Sequence, residues 1–208
     1  MGAKKALIFG SCPCEDWRFL RAYRTWPDVV IAADGGMLLA RQAGFIPQVF
    51  IGDGDSGGIP DPGMVSVPLP VEKDVTDLEA AYQWARDWGV TELLITGCTG
   101  GRLDHHMAAM SLLEAAGKEG VHARLMDSRN TVEFLTSGSY TLVQEDRKYF
   151  SLIPADPVIC GLTIKNAKYE IENRDVFRGS SLTVSNEFLD GPVTVSMEDG
   201  GCWLIYAE

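Results

Sequence analysis

Six short, almost unbroken apolar runs separated by helical patterns constrain the first two-thirds of this chain more than any other feature. The runs cover residues 6–9, 29–33, 49–51, 65–68, 93–96 and 123–126. A strand that is apolar at every position is covered on both faces, and intervening helices supply the crossovers that parallel strands require. Two helices are well marked. One begins near Thr76 and carries Leu78, Ala81, Tyr82, Ala85 and Trp88 on one face; the other begins near Leu103 and carries Met107, Met110 and Leu113. Both spacings follow a 3.6-residue period. Weaker helical patterns cover 16–26 and 37–43. The expected fold class is α/β, a mostly parallel sheet flanked by helices.

After about Ser137 the texture changes. Short runs rich in Val, Ile, Leu, Thr and Tyr, at 140–143, 149–153, 162–164, 181–185, 193–196 and 202–206, are separated by Gly, Asn, Asp and Pro. They predict a small antiparallel β domain of sandwich type. The expected domains are therefore 1–136 and 137–208. With 208 residues, 46% apolar and 23% charged, the chain is long enough for a large α/β domain and a smaller one.

The net charge of −11 repels nucleic acid and anionic lipid, so those partners are not expected. It repels ATP as well, so a nucleotide site here needs a metal and well-placed cations. The five cysteines, Cys12, Cys14, Cys98, Cys160 and Cys202, are odd in number and scattered, which predicts reduced thiols rather than a disulfide framework. No stretch is long enough to span a bilayer, and the apolar run after Lys4 and Lys5 is too short for a signal peptide. The expected location is the cytoplasm.

Acidic and glycine clusters close the expected strands, where open parallel sheets bind ligands. Asp34, Gly35 and Gly36 close one. Gly52, Asp53, Gly54 and Asp55 close the next. Gly97, Gly100, Gly101 and Arg102 follow a third. Gly52, Gly54 and Gly57 match a dinucleotide fingerprint only in letters: two carboxylates would face the pyrophosphate and no helix follows. An EF-hand beginning at Asp53 lacks its twelfth-position Glu, which is Met64 here. What remains is two carboxylates, Asp53 and Asp55, able to converge on Mg²⁺, with turn-forming Asp–Gly chemistry as the blander alternative.

Thr76 and Glu79 fit a capping box. Asp77 suits the positive end of that helix and could equally complete a metal site with Asp53 and Asp55, while Lys73 could offset phosphate charge. The glycines before Arg102 let backbone approach a phosphate, the helix that follows supplies free N–H donors, and Arg102 can grip two oxygens at once. His105 and His106 diverge by about 100° on a helix and cannot share a metal; His105 is the favoured functional one.

Taken together, the motifs resemble the thiamine pyrophosphokinase family. The resemblance rests on ADGG at 33–36, GDGDS at 52–56, KDVTD at 73–77 and GCTGGRLDH at 97–105, in the family's order and spacing, and extends to Gly161, Leu162 and Thr163 and to the stretch from Leu182 to Glu187. It implies Mg²⁺-dependent transfer of pyrophosphate from ATP to the thiamine hydroxyl, with AMP leaving. It implies a catalytic, ATP-binding domain at 1–136 and a thiamine-binding β domain at 137–208, in a homodimer with thiamine between subunits. By the same resemblance, Asp53, Asp55 and Asp77 hold Mg²⁺. Asp34, Gly35, Gly36, Lys73, Thr76, Gly100, Gly101 and Arg102 bind ATP. Asp74, Asp77, Arg102, Asp104 and His105 serve catalysis, and Ser185 and Asn186 hydrogen-bond thiamine. Gly54 stands where the family has Phe, and Ile164 lies near the place of a Trp that eukaryotic members carry.

Three rivals differ in chemistry. A pyrophosphokinase acting on a pterin alcohol would keep the ATP machinery and change the acceptor pocket. A phosphohydrolase would use Asp53 as nucleophile. A thiamine or nucleotide sensor would bind without turnover.

Overall fold

The computed structural model describes residues 2–14, 16–54, 60–72, 74–144 and 147–208. The chain forms two compact units, Met1–Ser128 and Arg129–Glu208.

The first unit contains strands β1 (Lys5–Phe9), β2 (Val29–Ala33), β3 (Val49–Gly52), β4 (Val65–Pro68), β5 (Glu92–Thr96) and β6 (His122–Met126). Its helices are α1 (Gly36–Gln42), α2 (Asp77–Trp88) and α3 (Leu103–Lys118). The strands pair in parallel in the order β4-β3-β2-β1-β5-β6. Every residue of β2 is buried, as are four in succession in β1 and in β5. Successive side chains point to opposite faces, so both faces are covered along β1, β2 and β5, whereas the edge strand β4, expected from its sequence to be buried, is largely exposed. The chain lays down β1 to β4 in one direction, then returns to the far side of β1 with β5. That reversal leaves a crevice beyond the C-terminal ends of β1 and β5.

The helices differ in how well their apolar periodicity foretold burial. In α2, Ala81, Tyr82 and Ala85 are buried. In α3 the buried set is Ala109, Met110, Leu112, Leu113 and Ala116, whereas Met107 is 51% exposed and stands with Leu103 on the outer side. The helical pattern over 16–26 contracts to a 3-10 segment, Arg18–Tyr23. Trp17, Phe19, Tyr23 and Trp26 all pack against the cluster around Phe9 and Phe45, and their spacing covers more than one face of an α-helix.

The second unit is entirely β. Its strands are β7 (Asn130–Leu135), β8 (Gly138–Leu142), β9 (Tyr149–Pro154), β10 (Val158–Lys165), β11 (Ile171–Phe177), β12 (Asn186–Glu187), β13 (Val193–Met197) and β14 (Cys202–Ala207). They form two antiparallel sets, β12-β9-β14-β7 and β11-β10-β13-β8. Phe150, Leu152 and Leu204 of one set share a core with Ile159, Leu162, Val193 and Val195 of the other, which makes a β-sandwich. Leu204→Ala, which empties a central site of that core, is expected to cost about 3 kcal/mol in a chemical unfolding titration.

Three features differ from the reading of the sequence. The run 181–185 is a turn: the Leu182 N–H donates to Ser180 Oγ at 3.2 Å, and Ser185 takes a left-handed φ of 58° that no strand accommodates. Strand β11 was not foreseen, because Glu172, Asn173, Arg174 and Asp175 at its centre are polar and exposed. The second unit begins at Arg129, not after residue 136, because β7 pairs along its whole length with β14.

Candidate active site

A cavity of about 280 Å³ opens at the crevice. Its floor comes from strand ends: Gly10, Ser11 and Cys12 after β1, Ala33 and Asp34 at β2, Gly97 and Cys98 after β5. Its sides are Val71, Val75, Thr76, Asp77 and Leu78 at the start of α2, and His105 and Ala108 of α3. Helix α2 packs across β1, β2 and β3, which carries its N-terminus over these strand ends.

The floor is tightly laced. The Gly10 N–H donates to the Thr96 carbonyl at 2.8 Å, and the Cys12 N–H donates to the Gly97 carbonyl at 2.7 Å. Gly97 has a φ of 69°, and a Cβ there would lie 2.7 Å from the Gly10 carbonyl oxygen, so only glycine lets the two loops touch. Burial pushes the Cys98 thiol up to about 12, and desolvation also raises Cys12. Both are protonated thiols near neutral pH, which removes them as nucleophiles.

Asp34 is the unusual group. It is 7% exposed, has a left-handed φ of 45°, and donates its N–H to the Ile51 carbonyl at 2.8 Å. Its Oδ1 is buried and has no hydrogen-bond partner among the described residues. The backbone of Gly52 packs against its Cβ, where any side chain at 52 would intrude. A buried carboxylate oxygen without a donor is costly, and such costs are met at ligand sites.

The residues singled out from sequence are distributed as follows. Asp34, Thr76, Asp77 and His105 line the cavity; His106 does not. Thr76 caps α2, its Oγ accepting the Glu79 N–H at 3.1 Å. Thr76→Ala is expected to cost about 1 kcal/mol in thermal or chemical unfolding. Asp74 is exposed just before this helix. Asp53 follows β3 and is partly buried. Asp55 and Lys73 lie outside the described residues. Among the described residues, no three His, Cys, Asp or Glu side chains form a group that could hold a metal.

Gly36 opens α1, and a Cβ on it would collide with the Phe9 carbonyl oxygen, so it brings helix and sheet together; Gly35 precedes it as N-cap. Gly100, with a φ of 80°, and Gly101 form the exposed loop before α3, where Gly101 abuts the Cys12 thiol. Arg102 pairs with Asp104 through Nη2 to Oδ2 at 2.6 Å and Nε to Oδ1 at 3.2 Å. The Arg102 hydrogen bond holds the Asp104 carboxyl below its ordinary value of 3.8. A depressed carboxyl keeps its pair above that value and loses it as pH falls through the lowered one. The pair is therefore intact throughout the neutral range. An NMR titration is expected to place Asp104 below 3.8, and Arg102→Ala to return it upward.

In the second unit, Ser185 is exposed, and its N–H donates to Ser151 Oγ at 2.9 Å. Asn186 is buried: its Oδ1 accepts the Tyr169 and Glu187 N–H groups, and its Nδ2 donates to the Tyr169 carbonyl at 2.8 Å. Its amide thus ties β12 to the segment before β11. The reading of the sequence passed over Gly10, Ser11, Cys12 and Cys98. The signal available was Gly10 closing the first apolar run, in the same position that Asp34 and Gly97 hold on the neighbouring strands.

Two family models match, one in each unit: "Thiamin pyrophosphokinase, catalytic domain" at residues 20–125, and "Thiamin pyrophosphokinase, vitamin B1 binding domain" at residues 139–202. The thiamine pyrophosphokinase of Bacillus subtilis is 33% identical over 177 residues, covering 82% of this chain and 83% of that protein.

The chain belongs to the thiamine pyrophosphokinase family.

Its fold agrees with this along its full length. A crystal structure of the Bacillus subtilis thiamine pyrophosphokinase superposes with a TM-score of 0.89 at 30% identity, covering 98% of this chain and 99% of that one. That of the Geobacillus thermodenitrificans thiamin pyrophosphokinase superposes with a TM-score of 0.87 at 29% identity, covering 98% and 97%. The cavity lies wholly in the unit that contains the catalytic match.

Proposed function

We propose that this enzyme transfers the pyrophosphoryl group of ATP to the hydroxyl of thiamine, giving thiamine diphosphate and AMP. The observation that carries the reading is the cavity at the sheet's reversal point, in the unit that contains the catalytic match, where the acidic ends of β2 and α2 meet the glycine loops after β1 and β5. Atoms balance: the thiamine oxygen forms a bond to the β-phosphorus, the bond from that phosphorus to the oxygen bridging it to the α-phosphorus breaks, and the hydroxyl proton leaves to solvent.

Such transfers depend on position and charge neutralisation rather than on covalent chemistry by the protein. Asp104 steadies the Arg102 guanidinium at the mouth of α3, and the N–H groups that Asp104 does not use are available to phosphate oxygens. Gly100 and Gly101 let the chain approach the same phosphates, and Lys73 adds a second cation. Thr76 and Asp74 shape the start of α2, and His105 projects from the first turn of α3 into the cavity.

Asp53, just after β3, and Asp77, the first residue of α2, offer carboxylate oxygens from elements packed against each other, and hard oxygen donors of this kind suit Mg²⁺. With Asp55 they are the residues that would hold it. A divalent ion held there would supply charge neutralisation to the phosphate chain. Ser185 and Asn186 are assigned to thiamine. The second unit is read as the thiamine-binding part and the assembly as a homodimer that shares that site.

Among the described residues no helix is long and apolar enough to cross a membrane. The test is direct. Incubation with ATP, Mg²⁺ and thiamine is expected to yield AMP and thiamine diphosphate in equal amounts. AMP only with a pterin alcohol, phosphate release from simple esters, or binding without turnover would each replace this reading.

A further inference from the structure

We infer that Asp34 reads the ribose of the nucleotide, accepting hydrogen bonds from its hydroxyl groups and making this enzyme selective for ribonucleotides. The inference rests on the reading of ATP as substrate and adds which part of ATP the cavity takes.

The cavity is divided by chemistry. Val71, Val75, Leu78 and Ala108 give it apolar walls suited to a flat base. Of the groups assigned to the phosphates and their metal, Gly100, Gly101, Arg102 and Asp53 do not line it, and Asp77 does, on its α2 side. The uncharged end of the nucleotide therefore fits beside Asp34 and the apolar walls, with the phosphate chain directed to the Asp77 side. At the floor stands Asp34, whose buried Oδ1 has no donor among the described residues. An unscreened carboxylate repels a phosphate, so the complement it lacks is a neutral donor or a cation. Asp34, Asp53 and Asp77 do not form a common metal group among the described residues, and a hard cation such as Mg²⁺ demands near-octahedral oxygen ligation and keeps several waters. A vicinal diol needs only two acceptor sites, which one carboxylate supplies.

Placement agrees. Asp34 ends β2, the strand beside β1, and Gly10 turns out of β1 next to it. In doubly wound sheets an acidic residue about 20 positions beyond the glycine turn takes the ribose hydroxyls. The left-handed backbone at Asp34 and the close packing of Gly52 hold the carboxylate in one orientation, which a selective acceptor requires.

The test uses AMP, 2′-deoxy-AMP, 3′-deoxy-AMP and thiamine as separate calorimetric probes of the intact protein in EDTA, so that no metal contributes. The wild type is expected to bind AMP about tenfold more tightly than at least one deoxy analogue, the size of one hydrogen bond to a charged acceptor. Asp34→Asn, which tolerates the left-handed backbone, and Asp34→Gly, which removes the side chain at no conformational cost, are both expected to narrow that ratio below about threefold. Thiamine affinity should not change. Thermal unfolding checks that both variants are folded; if one is not, the other decides.

Equal binding of all three nucleotides by the wild type overturns the inference. So does an equal loss for all three in both variants, which marks a metal or structural role, or a loss confined to thiamine. A wild type that makes thiamine diphosphate equally well from ATP and 2′- or 3′-deoxy-ATP removes the ribose reading alone. One that makes none from ATP removes the proposed function instead.

Discussion

Asp77→Asn is expected to slow thiamine diphosphate formation by more than about a hundredfold while changing unfolding free energy by less than about 1 kcal/mol. The two magnitudes have different sources. Asp77 is the first residue of α2, where a negative charge stabilises the helix by a few tenths of a kcal/mol to about 1 kcal/mol at an exposed end. The helix keeps its Thr76 cap in the variant. In the assigned chemistry the same carboxylate supports the divalent ion against the phosphate chain, and electrostatic groups of that kind contribute several kcal/mol to the barrier. Rates should be measured at saturating Mg²⁺ and again with Mn²⁺, beside a urea titration. The wild type should lose turnover in EDTA and regain it with added Mg²⁺. Parallel falls in activity and stability for Asp77→Asn would assign the residue to the helix and not to the reaction.

The largest effect on the fold is expected from Gly36→Ala. A Cβ at this position would strike the carbonyl oxygen of Phe9 and come within 2.7 Å of its carbonyl carbon. The obstacle is backbone of a fully buried strand residue, so no side-chain rotation relieves it. Helix α1 must lift from β1, or the loop at Gly10 must shift. Overpacking of this kind costs about 3 kcal/mol at the upper end of its usual range, which for a chain of this length lowers Tm by about 6–12 °C. Gly120→Ala, where nothing lies within 4 Å of the added atom, is the contrast for the φ of 81° alone. The experiment also decides between two roles for Gly36. Contact with ATP would raise KM at unchanged Tm; close packing of helix on sheet would lower Tm first.

Much of the first unit is legible residue by residue. Runs such as Val29 to Ala33 and Leu93 to Ile95 are apolar at successive positions because both faces of these strands are covered, and that pattern survives without any knowledge of neighbours. The Asp and Gly residues at the strand ends stand out for the same reason, since nothing in a buried strand calls for them. Where a segment's state depends on distant partners, the pattern fails. Strand β11 has a polar, exposed centre and exists through its pairing with β10. The run 181–185 has strand-like residues, but Ser180 and Ser181 fold it into a turn through local hydrogen bonds to the Leu182 and Val184 N–H groups. Met107 keeps the helical spacing of α3 and lies outside, because periodicity fixes a face only relative to other residues of the helix.

Sequence alone determined the α/β and all-β halves, the three acidic and glycine clusters, and the family to which their order points. These are local properties, set by apolar period and by residue types that a buried strand does not otherwise use. Tertiary structure alone decided which clusters meet. It brought Asp34, Asp77 and His105 to one cavity, added the unforeseen loop at Gly10, Ser11 and Cys12, and set Gly36 against the Phe9 carbonyl. It also left one carboxylate oxygen of Asp34 buried without a donor. Strand order and loop contacts join residues far apart in the chain, and no one-dimensional pattern records which strand lies beside which.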